Sequence, residues 1–417
     1  MLKSRLCIAF FAFAVGCAPA QKPLTDYVNP MLGTATLWDS VDLGFKPTKR
    51  TWGAEVFPGS SLPNAMVQVS PVTKFHSGAG YQYEDSVIYG FTHTNKGHWN
   101  LCHIPLLPVT GTPTPGDYCS PFSHERESAA PGYYQVFLDR YGVDAQLSST
   151  LRCAFHKYTY PAGAAASLLA DLQRSNEHVR AWDIRKEGDN VFAGWQQTGE
   201  KMYFYAVANR PVTGIEPVVE GDREVRIVRF GEGDGALELR IGFSFVSEKN
   251  ARENLEAEML GKSFAEVRSE ATATWNDLLG RIRVEGGTER EKGLFYSSLY
   301  RSFLWPALRS DVNGEFTDVD GKVINPGFRY YTGPSYWDDY RNKLILLGML
   351  APDVAADVIS SDTDKGEKRG GFMPTFFHGD HASAFVAGTY LRGNRGFDVN
   401  RAYNLVLRNA TVQGPSR

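Results

Sequence analysis

From about residue 25 to residue 250 the chain alternates apolar and polar positions in short runs, each stopped by Gly, Pro, Asn or Asp. MVQVSP (66–71), GYYQVFL (132–138), KMYFYAVA (201–208), REVRIVRF (223–230) and LELRIGFSFV (237–246) are the clearest. A period of two puts successive side chains on opposite faces of a strand, so each run predicts a half-buried β-strand; their succession predicts an antiparallel β-sandwich. After residue 250 the period changes. Residues 250–282 space their apolar positions at three and four in a background rich in Ala, Glu and Leu, which predicts a helix linking two domains. Helical spacing recurs at 290–310, 335–350, 352–360, 381–393 and 399–409. The expected fold is therefore mixed β + α: a sandwich over 21–250, a helical linker over 251–285 and an α-helical domain over 286–417.

The N-terminus changes the picture of where the chain works. Lys3 and Arg5 precede an apolar run, Leu6 to Val15, too short to span a bilayer, so residues 1–20 read as a secretory signal. Gly16-Cys17 after Ala14-Val15 is similar to a bacterial lipoprotein processing box, whereas Ala18-Pro19-Ala20 suits ordinary cleavage. The first reading predicts a lipid on Cys17, membrane contact through that anchor alone, and a periplasmic or cell-surface location. Beyond the signal, Cys102, Cys119 and Cys153 are too widely spaced for a CxxC zinc or redox motif and allow one disulfide and one free thiol. A net charge of −3 without a basic cluster argues against nucleic acid as a partner. A P-loop, a GxGxxG after a strand, a GxSxG elbow and an HExxH helix are all absent, which removes the commonest nucleotide, serine-hydrolase and zinc-protease readings. At the other end, five helices with several apolar faces make a poor closed domain, and the expectation is a chain truncated at its C-terminus.

Several blocks, in order, resemble glycoside hydrolase family 92, the calcium-dependent exo-acting α-mannosidases: YVNPMLGT (27–34), FPGSSLPNAMVQVSP (57–71), GYQYEDSVIYGFTHT (80–94), FYSSLYRSFLWP (295–306), SYWDDYR (335–341) and GTYLRG (388–393). The resemblance implies a sandwich packed on an (α/α)6 helical barrel, of which this chain carries the first part. It also implies removal of terminal α-linked mannose from glycans, with inversion and with Ca2+ assistance. Inverting hydrolysis needs one carboxylic acid to protonate the leaving oxygen and one carboxylate to activate water, about 6.5–9.5 Å apart. Calcium suits an oxygen-rich site and can hold two sugar hydroxyls.

Trp337, Asp338 and Arg341 match the family's WDxxR block at the sugar pocket. A Trp can stack on a sugar, an Asp can accept from two adjacent hydroxyls and an Arg can donate as a fork. Spacing alone reads equally as an i, i+3 ion pair on a helix beside a core Trp. His93, His98 and Trp99 lie in GFTHTNKGHWN (90–100), where the family places a loop reaching the active site; a Trp there can platform a sugar or fill the domain interface. In FMPTFFHGDHASAF (372–385) His381 falls on a His of the family, but Met373 stands where the general acid is expected. Asp380 is the nearest carboxyl and the candidate acid, flanked by His378 and His381; Asp is equally a preferred N-cap, and here it precedes a predicted helix. As metal ligands His378, Asp380 and His381 sit at spacings that rarely converge on one centre, and calcium prefers oxygen. Asp318, Asp320, Asp362 and Asp364 read as solvated turns. The general base matches no segment and is expected beyond Arg417, so this chain alone is expected to show little or no turnover. With the usual acid missing, the alternative is a non-catalytic, mannose-binding surface lipoprotein; a hydrolase acting on a different sugar is a third reading.

Overall fold

A computed structural model describes residues 22–37, 44–46, 54, 56–96, 99–233, 235–375, 377 and 379–414, apart from the side chains of Asn95, Lys96 and Trp99. The signal segment with Cys17, His98, the side chain of Trp99 and His378 thus lie outside the described set.

The alternating runs form two antiparallel sheets. One orders Ser60–Ser61, Gln68–Val72, Gly90–Thr92, Leu106–Val109, Ser167–Ala170, Arg223–Phe230 and Val212–Glu220. The other orders Ala181–Gly188, Val191–Gln197, Lys201–Ala208, Leu237–Ser244, Cys153–Thr159, Val143–Ser149, Tyr133–Leu138 and Glu127–Ala130. In Lys201–Ala208 the even positions Met202, Phe204, Ala206 and Ala208 are buried and the odd ones half-buried, as a period of two requires. Phe91 of the first sheet meets Tyr134 and Tyr158 of the second, with ring centroids 6.5 and 6.3 Å apart, so the sheets share one aromatic-rich core.

The expected helix over 250–282 is two helices, α1 (Glu248–Glu258) and α2 (Phe264–Leu279). Gly261, at φ +85°, turns the chain between them, and Ser263 with Glu266 forms a capping box that restarts it. Leu255 and Met259 with Phe264 and Val267 cover Tyr133, Cys153 and Phe155 on the second sheet, while Trp275 farther along α2 lies with its ring 4.3 Å from that of Tyr300 in the next helix. Cys102, Cys119 and Cys153 are all free thiols, so the allowed disulfide does not form.

The helical domain follows as α3 (Glu289–Ser302), α4 (Tyr336–Asp339), α5 (Lys343–Leu350), α6 (Pro352–Lys368), α7 (His381–Leu391) and α8 (Val399–Thr411). Thr288 and Glu291 box the start of α3, which stops short of Pro306, a residue that cannot donate to a helix. Pro352 at the first position of α6 uses the one place where its missing N–H is harmless. The observed architecture is the expected antiparallel sandwich followed by a helical domain. Direct bonds join the two. Trp275 Nε1 donates to Ser61 O at 2.7 Å, Gln68 Nε2 to Leu304 O at 2.6 Å and Asn64 Nδ2 to Pro306 O at 2.8 Å. Buried amide–carbonyl pairs of this kind fix the segment after α3 against the sandwich, where a recess opens.

Candidate active site

The recess, about 260 Å³, is walled by Phe57 from the sandwich side and by Arg301, Trp305, Asp338, Asp339 and Lys343 from the helical side. Its floor depends on α4. Ser335 O accepts from the backbone N–H of both Asp338 and Asp339 at 2.9 Å, closing a single turn that sends Tyr336 and Asp339 inward and Trp337 and Asp338 outward. Tyr336 donates its hydroxyl to Asp362, whose other oxygen takes Lys365 Nζ at 2.9 Å. One turn too short to be stable alone is thereby pinned from below by a buried carboxylate on α6.

That placement corrects the reading of the acids. Asp362 and Asp364 are not turn residues but lie in α6, which runs to Lys368, and Asp362 is fully buried. Asp318 is also buried; Lys368 bridges it and Asp364 at 2.9 and 2.8 Å. Burial alone would raise the Asp318 carboxyl, but Lys368 and the N–H groups of Lys322 and Asp320 hold it below the usual carboxylate range. The polar run SSDTDKGEK hid the helix because its buried positions face polar partners rather than an apolar core. Asp320 is exposed in a turn, as its sequence suggests.

Of the predicted sugar residues, Trp337 is 50 % exposed, with Phe377 edge-on at 5.9 Å. Asp338 is exposed on the rim of the recess. No ion pair joins it to Arg341, whose Nε bonds Tyr340 Oη at 2.9 Å instead. His381 stacks on Tyr340, centroids 4.0 Å apart and planes 10° from parallel. Tyr340, which sequence reading passed over, thus joins the WDxxR block to the start of α7 and brings Trp337, Asp338, Arg341 and His381 into one neighbourhood.

Two expected residues are engaged in other contacts. His93 is fully buried in the sandwich, its Nε2 3.0 Å from His156 Nε2 and its ring 4.5 Å from that of Phe243; it presents no surface to a sugar. Burial drives its imidazolium down to about 3. Asp380 is the N-cap of α7, with Oδ1 accepting from Ser383 N at 3.3 Å and Asn409 Nδ2 at 3.1 Å and Oδ2 from Ser383 Oγ at 2.5 Å. Met373 is buried in the core, its backbone held at both N and O by Asn409 at 3.1 Å.

Sequence reading also missed Asp339, which no motif marks. It is 8 % exposed at the recess, and burial raises its carboxyl, opposed by Lys343 at 3.2 Å. Arg301 donates to the carbonyls of Pro30 and Leu32, and burial lowers its guanidinium to about 10. The recess therefore holds two adjacent carboxyls in opposite surroundings, one wet and one dry, an arrangement that separates proton affinities. Among the described residues no group of three or more His, Cys, Asp or Glu side chains could hold a metal ion.

Residues 27–253 match the family model of the glycosyl hydrolase family 92 N-terminal domain, and residues 250–417 that of the family 92 catalytic domain. Among solved structures, a family 92 α-mannosidase from Bacteroides thetaiotaomicron superposes with a TM-score of 0.85 at 26% identity, over 95% of this chain and 58% of that one. The same enzyme in complex with mannoimidazole gives 0.83 at 25% identity, over 94% and 56%. An uncharacterised secreted glycosidase of Arthroderma benhamiae is 24% identical over 93% of this chain and 52% of its own length. The chain spans about half the length of these relatives.

Proposed function

The chain belongs to glycosyl hydrolase family 92, and we propose that it serves the removal of terminal α-linked mannose from glycans by an exported protein. The observation that carries this is the recess lined by the exposed Asp338 and the buried Asp339, with the exposed Trp337 and the Arg341–Tyr340–His381 contacts adjoining them along the chain. In this reading Trp337 stacks on the apolar face of the mannose, Asp338 accepts from adjacent hydroxyls, and Arg341 and His381 donate from across Tyr340. The mannoimidazole bound by the B. thetaiotaomicron enzyme supports a mannose-shaped ligand, and the secreted A. benhamiae glycosidase supports export. Export through the signal and anchorage through Cys17 would bring the chain to glycans in the periplasm or at the cell surface.

Inversion needs a proton donor. Asp380 is committed to capping α7, whereas Asp339 faces the recess in surroundings that favour its protonated form, so Asp339 is the better donor. The general base is not assigned to any residue of this chain. A version extended to the length of the relatives, tested on an aryl α-mannoside with the product anomer followed by proton NMR, checks the chemistry: β-mannose appearing first supports inversion, and α-mannose first refutes it, while residues 21–417 alone are expected to show little or no turnover. Titration calorimetry with mannose checks the pocket. Trp337→Ala and Asp338→Asn are each expected to weaken binding at least about tenfold, the worth of one hydrogen bond or stack; unchanged affinity in both would sink the assignment.

The commitment of Asp380 and the burial of Met373 favour a second reading, a surface lipoprotein that binds mannose without cutting it. Mannose binding without hydrolysis, both here and in a version extended to the length of the relatives, is its expected signature.

A further inference from the structure

Phe377 combines two features that cost the folded chain free energy. Its ring is 64 % exposed, and its backbone sits at φ +56°, a left-handed conformation that bulky residues rarely adopt. Strain of this kind gathers at ligand clamps and active sites, where the surrounding structure holds it in place. Here a side chain of α8 does the holding. The buried Asn409 accepts from Met373 N at Oδ1 and donates from Nδ2 to Met373 O and to Asp380 Oδ1, each at 3.1 Å. The chain leaving Met373 and the chain entering α7 are thus tied to one point, with Phe377 between them.

What the strain sets up is a corner. The ring of Phe377 stands 5.9 Å from that of Trp337, with planes 67° apart. Trp337 is itself half exposed and leaves α4 one residue before Asp338, which lines the recess. Two large rings, both open to water and crossed at a steep angle, therefore adjoin the place assigned above to the terminal mannose. We propose that Phe377 is a specificity-determining residue: it receives the second sugar of the glycan, the one to which the terminal mannose is linked. The choice of ligand rests on the glycan reading; the corner itself does not.

Ring geometry favours two sugars over one. A pyranose stacks its C–H face on one aromatic plane, and a single unit seated on Trp337 turns its hydroxyl-bearing edge toward a plane crossed at 67°. Two linked pyranoses turn relative to one another about the glycosidic bond, so each can lay a C–H face on a different ring. Asp338 and Arg341, both exposed beside Trp337, offer an acceptor and a donor to the hydroxyls that face away from the rings.

The test is titration calorimetry of residues 21–417 with mannose and with α-linked mannobiose, on wild type, Phe377→Gly, Phe377→Tyr and Trp337→Ala. Wild type is expected to bind mannobiose about three- to tenfold more tightly than mannose, the worth of one stack. Phe377→Gly loses that preference without changing mannose affinity, Phe377→Tyr keeps it, and Trp337→Ala weakens both sugars. In urea, Phe377→Gly is expected to unfold close to the wild-type midpoint, because relief of the strained φ offsets the looser unfolded chain. A marked drop in that midpoint would make Phe377 a packing residue and overturn the proposal. So would a wild type without the preference, a preference that survives Phe377→Gly, or a fall of both sugars together in that variant; each of these leaves the Trp337 pocket standing. Trp337→Ala silent, with Phe377→Gly still acting on mannobiose alone, refutes the Trp337 pocket and keeps the assignment of Phe377. No binding of either sugar by wild type overturns both.

Discussion

The buried His93–His156 pair makes the sandwich sensitive to mild acid. Both imidazoles are fully buried, 3.0 Å apart at Nε2, with Tyr158 Oη 2.5 Å from His156 Nδ1. Burial lowers His93 from 6.5 to about 3 and moves His156 well below its usual value, with His93 adding to the shift. The folded affinity for protons is lower than the unfolded one, so below pH 6.5 the unfolded chain binds more protons and stability falls with pH. One such group costs about 1.4 kcal/mol per pH unit, which gives about 2 kcal/mol for His93 at pH 5 and about 4 for the pair. Against a total of roughly 5–15 kcal/mol, that is a large fraction. Urea unfolding at pH 7.5 and pH 5.0, comparing wild type with the His93→Phe/His156→Phe double variant, isolates the effect. The variant is expected to lose about 4 kcal/mol less on acidification, since only the pair's contribution is removed. Parallel pH dependence in the two proteins would refute the reasoning. So would His93 or His156 imidazole NMR shifts in the folded wild type that titrate between pH 7.5 and 5.

Asp380→Asn keeps a good N-cap, so thermal stability should change by under about 1 kcal/mol, and any hydrolytic activity should survive if Asp380 only caps; loss of activity with an intact melt would restore it as the acid. Asp362→Ala strands Lys365 and the Tyr336 hydroxyl in the core and should cost about 3–5 kcal/mol in urea unfolding, with mannose affinity falling as α4 loosens; a neutral effect would show that α4 does not depend on it. Ser263→Ala removes the capping box of α2 and should cost about 1 kcal/mol, measured the same way, while leaving mannose affinity unchanged.

Local pattern determined the architecture because it is written in neighbours along the chain. The period of two in KMYFYAVA and REVRIVRF yields strands, and the spacing at three and four in α1, α2 and α3 yields helices. The block WDDYR likewise marked the neighbourhood of the recess in advance. Tertiary structure decided what pattern cannot carry. α6 runs through a polar segment because Tyr336 meets Asp362 and Asp318 meets Lys368 from outside the helix, beside the local pairs Asp362–Lys365 and Asp364–Lys368, and the partners remote in sequence leave no period. His93 reads as a loop histidine but is drawn into the core by His156, sixty-three residues on. Asp339 and Tyr340 acquire their roles only where the chain folds Lys343 and His381 against them. Burial sets proton affinity and decides which polar groups go unpaired, and burial is a property of the assembled molecule.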